Sequence, residues 1–449
     1  MADLLALSAR FIDEGIYEGP GSVNRVSGEL SEVAPGIAVV ESFSHVVACA
    51  TEAGLVLFDT SLEAFGPRVR DSLRAWSNDP VHALVYTHGH VDHVGGAGTF
   101  LAEARDRGAP RPRVLGHANV SHRFERYEAT EGYNATINLR QFGGGGRPTL
   151  QIGAEDDGAA PGPAAAPRRL RFGPREWVRP DTTFRERLDV RAGELEIQLR
   201  HARGETDDHL WAWLPEHRAV CAGDFVIWVF PNAGNPQKVQ RYPAEWARAL
   251  RSMSAREPEL LLPAHGLPIA GRERIGRVLD EMATVLEHLV GETLTRMNAG
   301  ASLDTVLQEV RVPAELLERP YLRPVYDEPE FVIRNVWRLY GGWYDGNPAH
   351  LKPAPASVLA RELAALAGGA DALWTRALER AEAGELRVAC QLVELAVQAD
   401  PENRAAHQAR VDIYGQRRQH ELSLMAKGIF GAAARSSQEK LEDGRDGTS

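Results

Sequence analysis

Between Gly36 and Asp59 the chain alternates short β-branched runs with turn residues: GIAVVES, then HVVACATE, then GLVLFDTS. Runs this short and this uniformly apolar predict strands packed on both faces. Pro67 to Trp76 changes period, with Val69, Leu73 and Trp76 at i, i+4 and i+7, and reads as a helix. A strand VHALVY (81–86), a histidine-dense loop and a further strand RVLGH around Val114 follow. Alternation of strand, helix and strand is the mark of an α/β domain. The glycine run at 143–146 and PGPAAAPRR at 161–169 break all periodicity, so about 143–175 reads as a mobile insertion. Strand patterns resume with LEIQL, HLWAWLP, RAVCAGD and ELLLPAHG. The first three form an expected β-meander, with Pro215–Arg218 as a tight turn.

After Gly271 the period is helical. Ile275, Val278, Leu279, Met282, Val285, Leu286, Leu289 and Val290 trace one apolar face. Arg311 to Pro355 is rich in proline and aromatics and reads as a packed connector. From Ser357 helix follows turn follows helix, with Leu386, Ala389, Cys390, Val393, Ala396 and Val397 in one stripe, expected as core or dimer interface. Asp400-Pro401 is the expected N-cap and first residue of the next helix. The hairpin is similar to a tetratricopeptide unit, but a solenoid needs about three repeats, so a small helical domain is expected. The polar tail after Ala432 is expected to fray. The expected division is a catalytic domain over 1–290, a helical or irregular connector over 291–356, a helical dimerisation domain over 357–432 and a tail over 433–449.

Composition narrows the function classes. With 449 residues, 43% hydrophobic and 25% charged, the chain can bury a core, which excludes a wholly disordered protein. A net charge of −11 repels nucleic-acid phosphates, so no nucleic-acid partner is expected. Three distant cysteines, Cys49, Cys221 and Cys390, offer neither a disulfide framework nor a Cys-X-X-Cys motif, and Cys221 is expected only to pack. The start MADLLALSARFIDEG has no basic region before its apolar stretch and does not read as a secretory signal. No apolar run approaches the roughly 18 residues of a membrane helix. A cytoplasmic protein without a membrane span is expected.

The chemistry concentrates in Thr87-His88-Gly89-His90-Val91-Asp92-His93-Val94-Gly95-Gly96. Three histidines and an aspartate within six residues, directly after an apolar strand, have no packing rationale. Imidazole and carboxylate suit zinc-like divalent ions. A tight loop can turn alternate side chains to two ions, which together would activate a water and clamp a substrate.

This HxHxDH pattern after a strand and before a helix resembles the metallo-β-lactamase superfamily. The resemblance implies an α/β fold, an αββα sandwich, here followed by an all-α helical domain. It places Asp59 as support for the metal loop, Asp224 as the carboxylate bridging two metals and His265 as the last ligand. The usual Gly-His-Thr turn is here Gly204-Glu205-Thr206, which makes Glu205 the remaining ligand. On the residues alone His201, Asp207 and His209 compete with it. Glutamate at that place points to the alkyl sulfatases. Trp337–His350 and GGADALWTRALERAEAGELRVACQLVELAVQADPEN look like their helical dimerisation domain, so the resemblance spans about 36–425.

It implies a homodimeric hydrolase with two zinc ions per chain, though iron or manganese also suit a carboxylate-rich site. His88, His90 and Glu205 would hold one ion, and Asp92, His93 and His265 the other. Asp224 and a hydroxide would bridge them, with Asp92 and Asp224 expected to act in catalysis as well. Two divalent ions against Asp92, Glu205, Asp224 and a hydroxide make a neutral site, so a small anionic ester needs further cations. Lys238 and Arg241 are candidates to bind it, as are Asn134 and Arg140 in YNATINLRQFG. Attack on carbon or on sulfur fits the residues equally.

Some features depart from the branch. Its members usually continue into a sterol-carrier-like domain, and this sequence ends first. Gly223-Asp224 stands where they carry glutamate in an Ala-Glu-Asn turn, and their sulfate-binding arginine has no clear match in Phe230–Tyr242. A thioesterase or lactonase of the glyoxalase II-like type is therefore an alternative, with a mononuclear iron oxygenase behind it. From another class comes a metal-containing binding module that docks a partner through its helices. Trp228 and Phe230 are read as core before pocket. His45, His117 and His122 are read as ordinary histidines, and His201 and His209 as partners that orient a ligand.

Overall fold

The computed structural model describes residues 3–142 and 171–446. The expected insertion at 143–175 lies mostly outside the described residues. By its internal contacts the chain forms two compact units, one of 1–135 with 151–342 and one of 136–150 with 343–449.

Two sheets carry the first unit. The first joins β1 (Leu30–Ala34), β2 (Ile37–Val40), β3 (Val46–Thr51), β4 (Gly54–Phe58), β5 (Val81–Val85), β6 (Arg113–His117) and β7 (Thr182–Phe184), neighbours in that order. It is antiparallel as far as β4 and parallel from β4 to β7. The second takes β8 (Arg187–Ala192), β9 (Leu195–His201), β10 (Leu210–Leu214), β11 (Ala219–Gly223), β12 (Leu260–Pro263) and β13 (Ile269–Ala270). Here β9, β10 and β11 make the expected meander, its turn closed by Arg218 at φ 46°. Only β11 and β12 pair in parallel among these strands.

Alternation along each strand explains why the runs are apolar throughout. Val39, Val47, Val56, Phe58 and Val85 meet Ile197, Leu199, Ala212, Cys221 and Leu262 in one core between the sheets. Val40, Val46, Leu55, Leu57 and Leu84 point the other way, onto the helices Gly66–Trp76, Ala97–Asp106 and Val120–Ala129. On the far side Trp211, Trp213, Val220 and Leu261 pack with the helices Pro243–Ser254 and Arg272–Asn298. All eight apolar positions traced from Ile275 to Val290 are buried there. Helix, sheet, sheet and helix thus form the expected αββα sandwich. Trp228 and Phe230 belong to this core, and Trp228 Nε1 donates to the Leu267 carbonyl oxygen at 2.7 Å.

The stretch after 290 is more than a connector. The 27-residue helix runs on to Asn298, and Val306, Tyr321, Leu322, Val332 and Val336 join the first unit's core. In the second unit the helices are Ala356–Ala367, Ala370–Glu382, Leu386–Ala399, Arg404–His420 and Leu424–Asp446. The stripe from Leu386 to Val397 is buried as expected. Two local expectations fail. Asn403, not Asp400, caps the fourth of these helices, its side chain accepting from Ala406 N at 3.0 Å, while Asp400 and Pro401 lie in the preceding turn. The polar stretch after Ala432 does not fray at once but continues the last helix. Ser437 Oγ is 2.9 Å from His407 Nδ1, Arg410 Nη1 donates to the Ala433 carbonyl oxygen at 2.7 Å, and Leu441 is buried. Polar side chains that face polar partners can hold a helix without an apolar stripe. No described helix is long and apolar enough to cross a membrane.

Candidate metal centre

Every candidate ligand lies where a strand of one sheet or the other gives way to a loop. Thr87 to His93 follows β5, Glu205 lies between β9 and β10, Asp224 follows β11 and His265 follows β12. The two sheets therefore deliver their ligand loops to one place. The seven expected ligands meet there in three overlapping groups: His88, His93 and Asp224; Asp92, His93 and His265; His90, Glu205 and Asp224.

The distances show how tightly. His93 Nε2 lies 3.4 Å from Asp224 Oδ1 and 3.5 Å from Asp92 Oδ2. His265 Nε2 is 3.3 Å from Asp92 Oδ2 and 3.7 Å from Asp224 Oδ1. On the other side His88 Nε2 is 3.8 Å from Asp224 Oδ2 and 2.8 Å from His90 Nδ1, and His90 Nδ1 is 3.6 Å from Glu205 Oε1. Asp224 thus turns one oxygen toward His93 and His265 and the other toward His88. Two buried atoms at the focus, His93 Nε2 and Asp224 Oδ1, have no hydrogen-bond partner among the described residues. Unpaired buried polar atoms cost roughly 1–3 kcal/mol each, and a cation between them would remove that penalty. The donor set and these two atoms fit divalent metal ions.

Carboxylates behind the ligands orient them. Asp59, held at φ 63°, accepts from Thr87 N and Thr87 Oγ1, both at 2.8 Å, and its Oδ2 is 2.8 Å from His93 Nδ1. That contact leaves the Nε2 edge of His93 facing the site. Burial alone would lower His93, but Asp224, Asp92 and Asp59 outweigh it and raise its proton affinity well above the usual value. His88 and His90 lie well below theirs, through burial first and neighbouring positive groups second.

Glu205 is buried and held on two sides. Asn232 Nδ2 donates to Oε1 at 2.5 Å and Arg241 Nη2 at 3.0 Å. Burial pushes its carboxyl up to about 8, against the pull of Arg241. The competitors for its place are otherwise engaged. His201 Nδ1 is 2.9 Å from the His209 carbonyl oxygen. Asp207 pairs with Arg123. His209 stacks on Phe225 with centroids 4.1 Å apart and accepts from Asp224 N at 3.2 Å, an orienting contact of the expected kind.

The four expected substrate contacts part company. Arg241 is 1% exposed and pairs with Glu205, so it is neither a surface charge nor an open anion site. Lys238 Nζ sits 5.7 Å from the Phe172 ring centroid, and burial draws its ammonium down to about 7. Asn134 Nδ2 donates to Thr130 Oγ1 at 2.7 Å, in the turn just before its own helix, Glu131–Phe142. Arg140 is exposed and belongs to the second unit. Of the other histidines, His45 is buried with Nδ1 3.1 Å from the Ser42 carbonyl oxygen, His117 stacks on His201 at 3.9 Å, and His122 is exposed.

Sequence reasoning missed Asp208, Arg123, Asn232 and Tyr326. Burial raises the Tyr326 hydroxyl, and the nearby charges of Glu205 and Asp92 add to that. Asp208 had a signal, since two acidic residues directly precede a strand that is buried on both faces.

Family comparisons agree with this geometry. Residues 38–265 match the model of the metallo-beta-lactamase superfamily, and residues 302–440 match alkyl sulfatase dimerisation. A linear primary-alkylsulfatase of Pseudomonas sp. is 26% identical over 393 residues, covering 87% of this chain and 73% of that protein. An (R)-specific secondary-alkylsulfatase of Pseudomonas sp. is 27% identical over 403 residues, with 87% of this chain but 59% of the relative covered. The solved structure of a stereoselective inverting sec-alkylsulfatase from Pseudomonas sp. superposes with a TM-score of 0.78 at 23% identity, over 92% of this chain and 66% of that one. The chain thus spans between about three fifths and three quarters of these proteins. With the sandwich, the ligand loops and the matched helical region all in agreement, the chain belongs to the metallo-β-lactamase superfamily, in the branch that joins this fold to an alkyl sulfatase dimerisation domain.

Proposed function

We propose that this protein is a dinuclear metal-dependent hydrolase of sulfate esters, with alkyl sulfates as its substrate class. The observation that carries the reading is Glu205 in reach of His90 and Asp224, where a carboxylate replaces the histidine usual in the superfamily. The alkylsulfatase names of its relatives support the same ester.

His88, His90 and Glu205 would hold one ion and Asp92, His93 and His265 the other, with Asp224 available to both. Bound there, zinc or a similar ion would polarise the ester and make an attacking water acidic near neutral pH. The chain's residues do the rest. Asp59 keeps His93 turned to the site, and Arg241 with Asn232 keeps Glu205 there. Lys238 supplies the cation that a neutral ligand set lacks, for the oxygens of the anionic ester. The matched dimerisation region supports a homodimer.

The test is sulfate release from dodecyl sulfate by zinc-loaded protein, with His88→Ala as control. Release that disappears in the variant supports the reading. No release, together with turnover of a thioester or lactone, would move the activity to the glyoxalase II-like class, to which Gly223-Asp224 is similar. A well-folded protein that takes up no metal would leave only a binding module.

A further inference from the structure

The loop that carries His88 and His90 is held from behind by a second aspartate. Asp208 Oδ2 accepts from Gly89 N at 2.9 Å, and Asp208 Oδ1 accepts from Arg123 Nε at 2.9 Å. Asp208 is fully buried and Arg123 is 4% exposed. Arg123 is fixed in turn by Asp207, through Nη2. Gly89 is not among the residues with positive φ, so its backbone does not require glycine. Space does. A Cβ there would stand 2.8 Å from Asp208 Oδ2 and 3.0 Å from Arg123 Cδ.

We infer that Asp208, locked by Arg123, is a positioning residue for the His88 and His90 half of the metal centre and acts through the Gly89 amide. The inference rests on the dinuclear reading above. Gly89 N belongs to the peptide that follows His88. Fixing that N–H sets the peptide plane, and with it the Cα positions from which the two imidazoles reach nitrogens 2.8 Å apart. A carboxylate suits this post because it can accept from the amide and pair with the guanidinium at once. The other half has its own support in Asp59, which accepts from Thr87 and lies against His93. Asp59 follows β4 of the first sheet, and Asp208 precedes β10 of the second. The loop therefore has two anchors: Asp59 meets His93 directly and His88 only by way of Thr87 Oγ1, 3.1 Å from His88 Nδ1, whereas Asp208 holds the Gly89 amide between His88 and His90.

Two anchors make a selective loss testable. The full-length protein is stripped with chelator and titrated with zinc against a competing dye, and cobalt spectra report ligand geometry. Wild type should take up two ions. Asp208→Asn keeps the size of the side chain and loses its charge. Gly89→Ala reaches the same contact from the other side and guards against a folding failure of the first variant. Each should weaken one ion by roughly 10–100-fold, the range for partners that orient a ligand, and leave the other bound. Their cobalt spectra should change alike, and the double variant should lose little more than either single one. Two ions of unchanged affinity in both variants would overturn the inference. So would equal loss of both ions with a lower unfolding temperature of the metal-free protein, since that is a general scaffold role. A wild type that binds fewer than two ions sinks the dinuclear reading and this inference with it.

Discussion

Arg241 grips Glu205 at two points: Nη2 lies 3.0 Å from the carboxylate Oε1, and Nη1 donates to the Glu205 carbonyl oxygen at 2.6 Å. Both side chains are withdrawn from solvent. Removing the partner of a buried charge costs about 3–5 kcal/mol. Above pH 8, where Glu205 is ionised, Arg241→Met should therefore lower the unfolding free energy of the metal-free protein by about that amount, and weaken metal binding as well. Urea unfolding with a parallel zinc titration checks both. A variant as stable as wild type would mean that Glu205 is protonated and neutral in its place.

His88→Ala removes a fully buried ring from one of the overlapping ligand groups. Bound metal should fall and hydrolysis should vanish. Metal content by emission spectroscopy and turnover, measured on the same sample, decide it; unchanged turnover would remove His88 from the site.

Lys238→Met keeps the length of the side chain and removes its charge. KM for an anionic ester should rise about tenfold, the loss of about 1.4 kcal/mol, with kcat changed less. Steady-state kinetics on a charged and an uncharged ester separate this from a folding effect, because only the charged ester should suffer.

Asp327 gives a pH signature. It accepts from Gly234 N at 2.6 Å, Asn235 N at 3.0 Å and Glu328 N at 2.7 Å, yet burial raises its carboxyl to about 6. Folding thus favours its protonated form. The stability it contributes is complete below the ordinary carboxylate pKa and is lost as pH rises through about 6. By linkage the swing is roughly 3 kcal/mol at most. Wild type and Asp327→Asn, unfolded without metal between pH 4 and pH 7, should differ by an amount that changes with pH over this window. A constant difference would place the group's pKa elsewhere.

On the helix Ala356–Ala367, Leu359 is 53% exposed, Leu363 36% and Leu366 85%, one helical face turned to water. Leu359→Glu with Leu366→Glu should convert the expected homodimer to monomer and leave zinc uptake intact. Light scattering after size exclusion reads the mass; a dimer that survives both changes would put the interface elsewhere.

The residues that could be read from sequence are those whose pattern had no competing explanation. Clustered histidines after an apolar strand do not pack, so the metal loop was plain. Strands buried on both faces and long helices with one apolar face announce themselves by period. What escaped depends on partners distant in sequence. Arg241 reads as a candidate substrate contact because Glu205, with which it pairs, is thirty-six positions away. Asp207 and Asp208 are indistinguishable until β10 sets which of them turns inward. Tyr326 lies in a proline-rich stretch with no period to place it. The last helix was hidden because polar contacts hold its end.

Asn232 and Arg241, which hold Glu205, bracket Lys238 on the same short loop. On the proposed function, the contact for the ester and the hold on the ion would thus share one segment. A mutational library over residues 231–241 will mix the two traits, and many clones that score as inactive toward a new ester will simply have shed metal. Randomising around a constant Asn232 and Arg241 separates them, and makes this loop a practical place to retune the enzyme.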